Sequence, residues 1–553
     1  MVPFDEVHRK VHFPADRRHR LWIRPAYLWG LLALVAALVG AAWLQRLLFG
    51  MPYIPLDHAL DVGQVSGPHG FPGWIRWTHF FNFLFLTMLV RSGLSILADH
   101  PRLYWNDHCT PGTEWIRFTP LEVPRNKRWT AKDDARYISP LLALPGYRHT
   151  IGMARSWHFL NVFGFVLTGV VFVIGLCTTD QWLRLVPTSP RIFVEAWATF
   201  VHYATFTFPP EPNGFYGYNA LQQLAYFATV FVMAPLAILT GLAMSPALVN
   251  RAPWFAKMFG GRQAARSIHF LTMVGFVCFL VVHVTLIVMT GFIRNMNHIV
   301  LGKDEVTPTG LWLGLMGIAV VILVWIVAHH VAWRHPRRVQ HFTRAMMLPV
   351  HKVTLNRLDP VPCAAPVSPR FWPNGILPVR EDWKRLKEGG FREFRLKIGG
   401  LVERPMELSL DEMRRLSHEE MTTLHHCIQG WSGVAQWGGI PLAKIIELAK
   451  PQPEAGTIVF YSFGEALYGG VYYDTQSVYN AMKPGAMLAY EMNGAPLEDE
   501  YGAPLRLRVD NQLGYKMVKW IERIEFVESE KSVGKGEGGK NEDDEYFDLL
   551  PNI

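Results

Sequence analysis

The chain has 553 residues, of which 50% are hydrophobic and only 18% charged, with a formal net charge of +8. A soluble protein carries about 25% charged residues, so a wholly soluble enzyme is excluded, and the length calls for at least two domains. The basic residues lie beside apolar stretches rather than in one patch, which argues against nucleic acid as a partner. The five cysteines form no CxxC, CxxCH or zinc-like spacing, which leaves iron–sulfur clusters, covalent haem and a disulfide framework unsupported.

In chain order, residues 1–26 form a basic N-terminus expected on the cytoplasmic side. Six apolar runs follow, near 27–49, 77–98, 157–177, 221–245, 267–292 and 310–332. Each offers the roughly 20 helical residues needed to cross a bilayer, so an all-α transmembrane bundle is predicted over 27–335. The first run has no cleavage-like end and reads as an anchor. Lysine and arginine crowd 8–24, 99–155, 250–266 and 334–352 and are sparse in 50–73, 178–220 and 293–309. That bias puts both termini, the 99–155 loop and any following soluble domain on the cytoplasmic side of a bacterial inner membrane. Residues 336–369 read as a Pro-bearing linker, and 370–528 as a soluble α+β domain in which "REFRLKIGG", "TIVFYSF" and "GGVYYDT" are strands. The Gly-rich, charged tail 529–553 is expected to be disordered.

Histidine inside a bilayer is expensive and usually functional. His79 opens the second span, His158 the third, and His269 the fifth, with His283 fourteen residues further along the same helix. Fourteen residues are nearly four turns, so both histidines of the fifth span share one face about 21 Å apart. Matching depths pairs His158 with His269 and His79 with His283, and two stacked haems are the groups such pairs suit. Gly275, between them, would let a porphyrin lie close. Arg76, Arg155 and Arg266 each precede a histidine by three residues and could meet a haem propionate.

On these histidines, the stretch 75–295 resembles the di-haem cytochrome b subunits of bacterial formate dehydrogenase, nickel–iron hydrogenase and thiosulfate reductase. The resemblance implies two b-type haems and quinone as membrane partner; the extra first span is a departure from it.

The soluble region carries "HHCIQGWSGVAQWGGIPL" (425–442) and "YGAPLRLRVDNQLGYKMVKWIERIEF" (501–526). Together they resemble the sulfite oxidase family, most closely its methionine-sulfoxide-reductase catalytic branch. The resemblance implies a Mo-molybdopterin cofactor with Cys427 as the molybdenum ligand, a soft thiolate suited to that centre. It also implies that Arg506, Gly514, Lys516 and Lys519 hold the cofactor's phosphate, and that Asn374 and Ser462 contact the pterin. Tyr501 and "DNQL" depart from the family pattern at the pterin edge. The sequence continues only briefly past Phe526, without an immunoglobulin-like dimerisation domain, which favours the reductase branch.

The expected function is a membrane oxidoreductase passing electrons from quinol through two haems to a Mo–pterin centre that reduces a small S-oxide or N-oxide. Two alternatives stand beside it: a sulfite-type dehydrogenase delivering electrons to quinone, and a non-catalytic relay whose pterin domain is empty. The sequence leaves the oligomeric state open.

Overall fold

The computed structural model describes residues 21–54, 70–118, 123, 129–136, 138–145, 151–207, 214–357, 363 and 365–553. The basic run 1–20 and the prolines at 360 and 362 lie outside them. Among the described residues, six helices are long and apolar enough to cross a membrane: Pro25–Phe49, Gly73–Asp99, Ile151–Cys177, Ala220–Ala243, Arg262–Met289 and Pro308–Arg334. They are apolar on nearly every face, and their outward Leu and Val side chains remain exposed, as helices surrounded by lipid require. Pro25 and Pro308 sit in the first turns of the first and sixth spans, where a missing N–H costs nothing.

The fourth span contains a π-helical turn, Ala228–Met233. Met233 fills the space opposite Gly275, where an added Cβ would lie 2.9 Å from its Sδ. The gap expected beside Gly275 is thus occupied by a flexible side chain.

A small sheet orders the membrane-adjacent face. Strands β1 (Trp22–Ile23), β2 (Arg102–Leu103) and β3 (Ile116–Arg117) pair in the order β1-β3-β2, joining the segment before the first span to the loop after the second. Buried Arg102 locks that loop by reaching Glu114 at 2.6 Å and Asp134 at 2.8 Å.

The expected linker begins instead with a helix, Pro336–Arg357, whose Val339 packs in a cluster with Met153 and Trp157 of the third span. An apolar stripe of this kind is stabilised by tertiary burial, which its proline content alone does not reveal.

The soluble domain is built from two five-stranded sheets. One runs β5 (Met406–Ser409), β4 (Arg395–Gly400), β13 (Ile521–Val527), β8 (Thr457–Glu465), β9 (Val471–Ser477), with only β4 and β13 parallel. The other runs β11 (Ala495–Pro496), β10 (Ala486–Met492), β7 (Ser432–Pro441), β6 (Glu419–His426), with β12 (Arg506–Val509) also on β10. Their alternating inward residues, among them Leu396, Ile458, Phe460, Leu488, Leu507 and Ile524, form the main core.

The tail is a correction to the sequence reading. Residues 529–553 are ordered, and Glu542, Asp543 and Glu545 are buried. Glu542 reaches Lys516 at 2.7 Å and Asp548 reaches Arg155 at 3.1 Å, while Gln340 Nε2 donates to the Tyr546 and Phe547 carbonyls. The tail therefore straps the soluble domain to the third span and the helix after the sixth. Asp544 pairs with Lys535 and Lys540 inside the tail, but Glu542 and Asp548 are matched by residues outside it, a pattern that composition cannot show.

Candidate redox centres and the domain junction

Four intramembrane histidines meet in two pairs. The His158 and His269 ring centroids are 6.3 Å apart, and so are those of His79 and His283. Two imidazoles bound about 2 Å on either side of one metal put their centroids about 6 Å apart, so both pairs fit an axial bis-histidine site. Among the described residues, no group of three or more His, Cys, Asp or Glu gathers as for a bare metal ion. A pair suits a macrocycle that brings its own four nitrogens.

The Nδ1 atoms of three of these histidines also have neighbours that can hold them. His269 Nδ1 donates to the Ala237 carbonyl at 3.0 Å and lies 3.1 Å from Thr240 Oγ1. This bond fixes the tautomer that leaves Nε2 free for a metal. His158 Nδ1 lies 3.0 Å from Ser92 Oγ, and His283 Nδ1 3.3 Å from the Tyr226 hydroxyl. Sequence reasoning missed Ser92, Tyr226 and Thr240. A usable signal was present: Tyr226 and Thr240 are spaced by the same fourteen residues as His269 and His283, on the neighbouring antiparallel span.

The three arginines expected at propionates are engaged with protein. Arg76 donates to the Val300 carbonyl, Arg155 pairs with Asp548, and Arg266 donates to the carbonyls of Arg102 and His100.

Cys427 sits in the turn between β6 and β7, 5% exposed, in a cluster with Phe371, Trp372, Trp431 and Trp437. Its N–H donates to the Trp431 carbonyl, and the Gly430 N–H closes back onto the Cys427 carbonyl at 3.0 Å. Burial pushes the free thiol up to about 12, so ligation of a metal must release its proton. Gly430 has φ +107, and Arg266 lies 3.4 Å from where its Cβ would be. Glycine is required there both for the left-handed backbone and for the close approach.

Most of the expected pterin contacts converge beside this turn. Asn374 Nδ2 donates to Gln429 Oε1 at 3.2 Å, Gln429 Oε1 lies 3.7 Å from Cys427 Sγ, and the Lys519 ammonium donates to the Asn374 and Glu500 carbonyls. Ser462 Oγ donates to the Lys519 carbonyl at 2.7 Å. Arg506 lies 4.6 Å over the Trp437 ring and donates to the Tyr501 carbonyl. Burial, then neighbouring Arg508, holds the Arg506 pKa well below its usual value, and its Nε has no partner among the described residues. An anionic cofactor group would relieve both defects, so this donor set fits the phosphate of a pterin cofactor.

Lys516 and Gly514 are not brought to that set. Burial works against the Lys516 charge, but Asp474 and Glu542 enclose its ammonium and hold its pKa above the usual lysine value. Gly514 abuts His425, where an added Cβ would lie 2.2 Å from Cε1. Of the four residues expected at the phosphate, Arg506 and Lys519 lie beside the Cys427 turn, whereas Lys516 is engaged in a buried ion cluster and Gly514 packs on His425. The two adjacent histidines turn opposite ways. His425 Nδ1 accepts from Arg508, and His426 Nε2 donates to Asn250 Oδ1 of the membrane domain at 2.8 Å.

The Cys427 turn docks directly on the membrane domain. The Gly430 carbonyl accepts from Arg262 at 3.0 Å and from Gln263 at 2.9 Å, both at the start of the fifth span. Ser432 Oγ donates to the Asp107 carbonyl, and Ser432 N–H reaches Cys109 Sγ at 3.4 Å.

Comparisons with known proteins agree with this division. Residues 70–301 match the family described as prokaryotic cytochrome b561, and residues 385–534 match the oxidoreductase molybdopterin binding domain. A protein-methionine-sulfoxide reductase catalytic subunit, MsrP, of Xanthomonas axonopodis is 34% identical over 143 residues, which is 24% of this chain and 44% of that protein. The putative protein-methionine-sulfoxide reductase subunit YedZ1 of Azospira oryzae is 30% identical over 139 residues, which is 25% of this chain and 51% of that protein. This chain thus spans about half the length of the curated relatives it matches. The sulfane dehydrogenase SoxCD of Paracoccus pantotrophus shares 24% identity over 25% of this chain and 39% of its own, at a TM-score of 0.23. The chain joins a multi-pass membrane domain of the prokaryotic cytochrome b561 family to an oxidoreductase molybdopterin-binding domain.

Proposed function

We propose that this chain takes electrons from quinol, passes them through two b haems, and delivers them to a molybdenum–pterin centre ligated by Cys427 that reduces a small S-oxide or N-oxide. One haem would sit between His79 and His283 and the other between His158 and His269. The observation that carries this reading is the docking of the Cys427 turn on Arg262 and Gln263. Gln263 precedes His269 by six residues, about 9 Å of helix rise, and this short separation supports electron passage between the inner histidine pair and a centre at Cys427. The relatives named as methionine-sulfoxide reductase subunits support a sulfoxide as the substrate.

A molybdenum centre bound at this site supplies two-electron oxygen-atom transfer. The chain's own residues do the rest. Cys427 provides the soft ligand, Arg506 and Lys519 would neutralise the phosphate, and Asn374 and Ser462 would orient the pterin. The aromatic cluster of Phe371, Trp372, Trp431 and Trp437 excludes water from the ligand. The carbonyl of Ala237 and the hydroxyls of Ser92 and Tyr226 hold the histidine rings. The junction ties the soluble domain to the face bearing the 99–155 loop, and the lysine and arginine bias assigns that face to the cytoplasm. A reporter fused after residue 553 tests the assignment.

The functional test uses membranes carrying the protein and follows haem absorbance. Reoxidation of quinol-reduced haem by dimethyl sulfoxide or methionine sulfoxide is expected. Reduction of oxidised haem by sulfite would reverse the direction, and a folded preparation without molybdenum would overturn the enzymatic reading.

A further inference from the structure

Two buried residues of the membrane domain have polar atoms that the redox reading leaves unused. His100, directly after the second span, is 0% exposed, and neither ring nitrogen has a hydrogen-bond partner among the described residues. Tyr104 is equally buried, its hydroxyl likewise unpartnered, and its ring is stacked on His100 with centroids 5.9 Å apart. Leaving such groups dry and unpaired costs several hydrogen bonds' worth of desolvation, so a polar occupant is called for. Both face the soluble domain. The His100 ring meets Trp372 edge-on at 5.3 Å, and Tyr104 belongs to the cluster that contains Cys427.

The surrounding charge gives the occupant its sign. Arg266 donates to the carbonyls of His100 and Arg102, and Arg262 to those of Met244 and Gly430. Among the described residues these two buried guanidiniums donate to carbonyls; the carboxylates of Asp107, which accepts the Gln263 N–H, and of Asp99 act on them from further off, whereas Arg102 is matched in direct contact by Glu114 and Asp134. Burial, then Arg266, Arg102 and Arg262, holds the His100 imidazole well below its usual value, so it is a neutral N–H donor.

We propose that His100 and Tyr104, backed by Arg262 and Arg266, form a buried binding site for an oxyanion group at the junction between the inner histidine pair and the Cys427 turn. Two sources share this chemistry: a carboxylate of the inner haem, and a free small sulfur oxyanion entering the Cys427 pocket. The first rests on the di-haem reading above; the second does not.

The test compares the full-length holoenzyme with His100→Gln and Tyr104→Phe, the latter removing only one hydroxyl. Haem and molybdenum contents are measured first, and variants retaining both are carried forward. In one arm the haem bands are titrated redox-metrically; a changed midpoint potential for one haem, with the other unmoved, assigns the site to a haem carboxylate. In the other arm sodium sulfate is titrated against the Mo(V) electron paramagnetic resonance signal. Sulfate binding about tenfold or more weaker in the variants assigns it to a free oxyanion. Wild-type-like behaviour in both arms, with cofactors intact, overturns the proposal. A wild-type protein without two haems would instead overturn the di-haem reading and leave the sulfate arm to decide the site.

Discussion

Replacing Lys516 with methionine separates a structural lysine from a cofactor ligand. The Lys516, Asp474 and Glu542 side chains are respectively 4%, 0% and 2% exposed. Asp474 Oδ2 and Glu542 Oε2 have no hydrogen-bond donor among the described residues, so the ammonium is their main compensation. Removing one partner of a buried ion cluster costs about 3–5 kcal/mol, and about 2–4 °C of melting temperature follows each kcal/mol in a domain of this size. Lys516→Met should therefore melt roughly 6–20 °C lower at neutral pH, measured by differential scanning fluorimetry in detergent. The pH dependence has a definite sign. Burial already raises both carboxyl pKa values above their unfolded values of about 4, so the folded state binds more protons than the unfolded one. Stability of the variant should fall as pH rises from about 4 through those raised values, and recover as pH is lowered toward 4. Adding Asp474→Asn and Glu542→Gln should restore most of the loss at neutral pH. A variant that melts like wild type yet loses its molybdopterin would refute the structural role and return Lys516 to the phosphate site.

Four further outcomes are expected. Cys427→Ser should remove the thiolate signature from the Mo(V) resonance and abolish substrate-driven haem reoxidation while the haem spectrum stays unchanged; retained reoxidation would disqualify Cys427 as ligand. His269→Ala or His158→Ala should each remove the same single haem, and His79→Ala or His283→Ala the other, read by pyridine haemochrome content. Loss of both haems from either change would contradict the pairing. Ser92→Ala should loosen the inner haem by about 10–100-fold, the usual effect of losing a partner that orients a metal-bound histidine, as measured by haem transfer to apomyoglobin. Asp548→Asn should slow haem-to-molybdenum electron transfer in stopped flow but leave reduction of the molybdenum centre by a small artificial donor unaltered, because it cuts only the tail's link to Arg155. Equal slowing of both would mean that the tail supports the soluble domain alone.

Several features were legible in the sequence because their causes are local. Apolar length marks a membrane span, and a fourteen-residue separation puts His269 and His283 on one helix face whatever surrounds them. Depth matching then fixes which histidines can meet, and the observed His158–His269 and His79–His283 pairs follow from it. The Cys427 segment is equally local, since one strand–turn–strand unit carries the cysteine, the required Gly430 and the docking Ser432.

What the tertiary structure decided is which charges and hydrogen-bonding groups find partners. Lys516 and Lys519 lie three residues apart in the same motif, yet one is closed off by Glu542 and Asp474 while the other turns toward Asn374. The acidic tail looks like a solvated chain until Lys516, Arg155 and Gln340, distant in sequence, supply its partners. His100 and Tyr104 carry no motif at all; only burial against another domain takes their polar atoms out of bulk solvent. Periodicity reports a residue's own helix or strand, whereas desolvation and ion pairing depend on what the rest of the chain brings alongside.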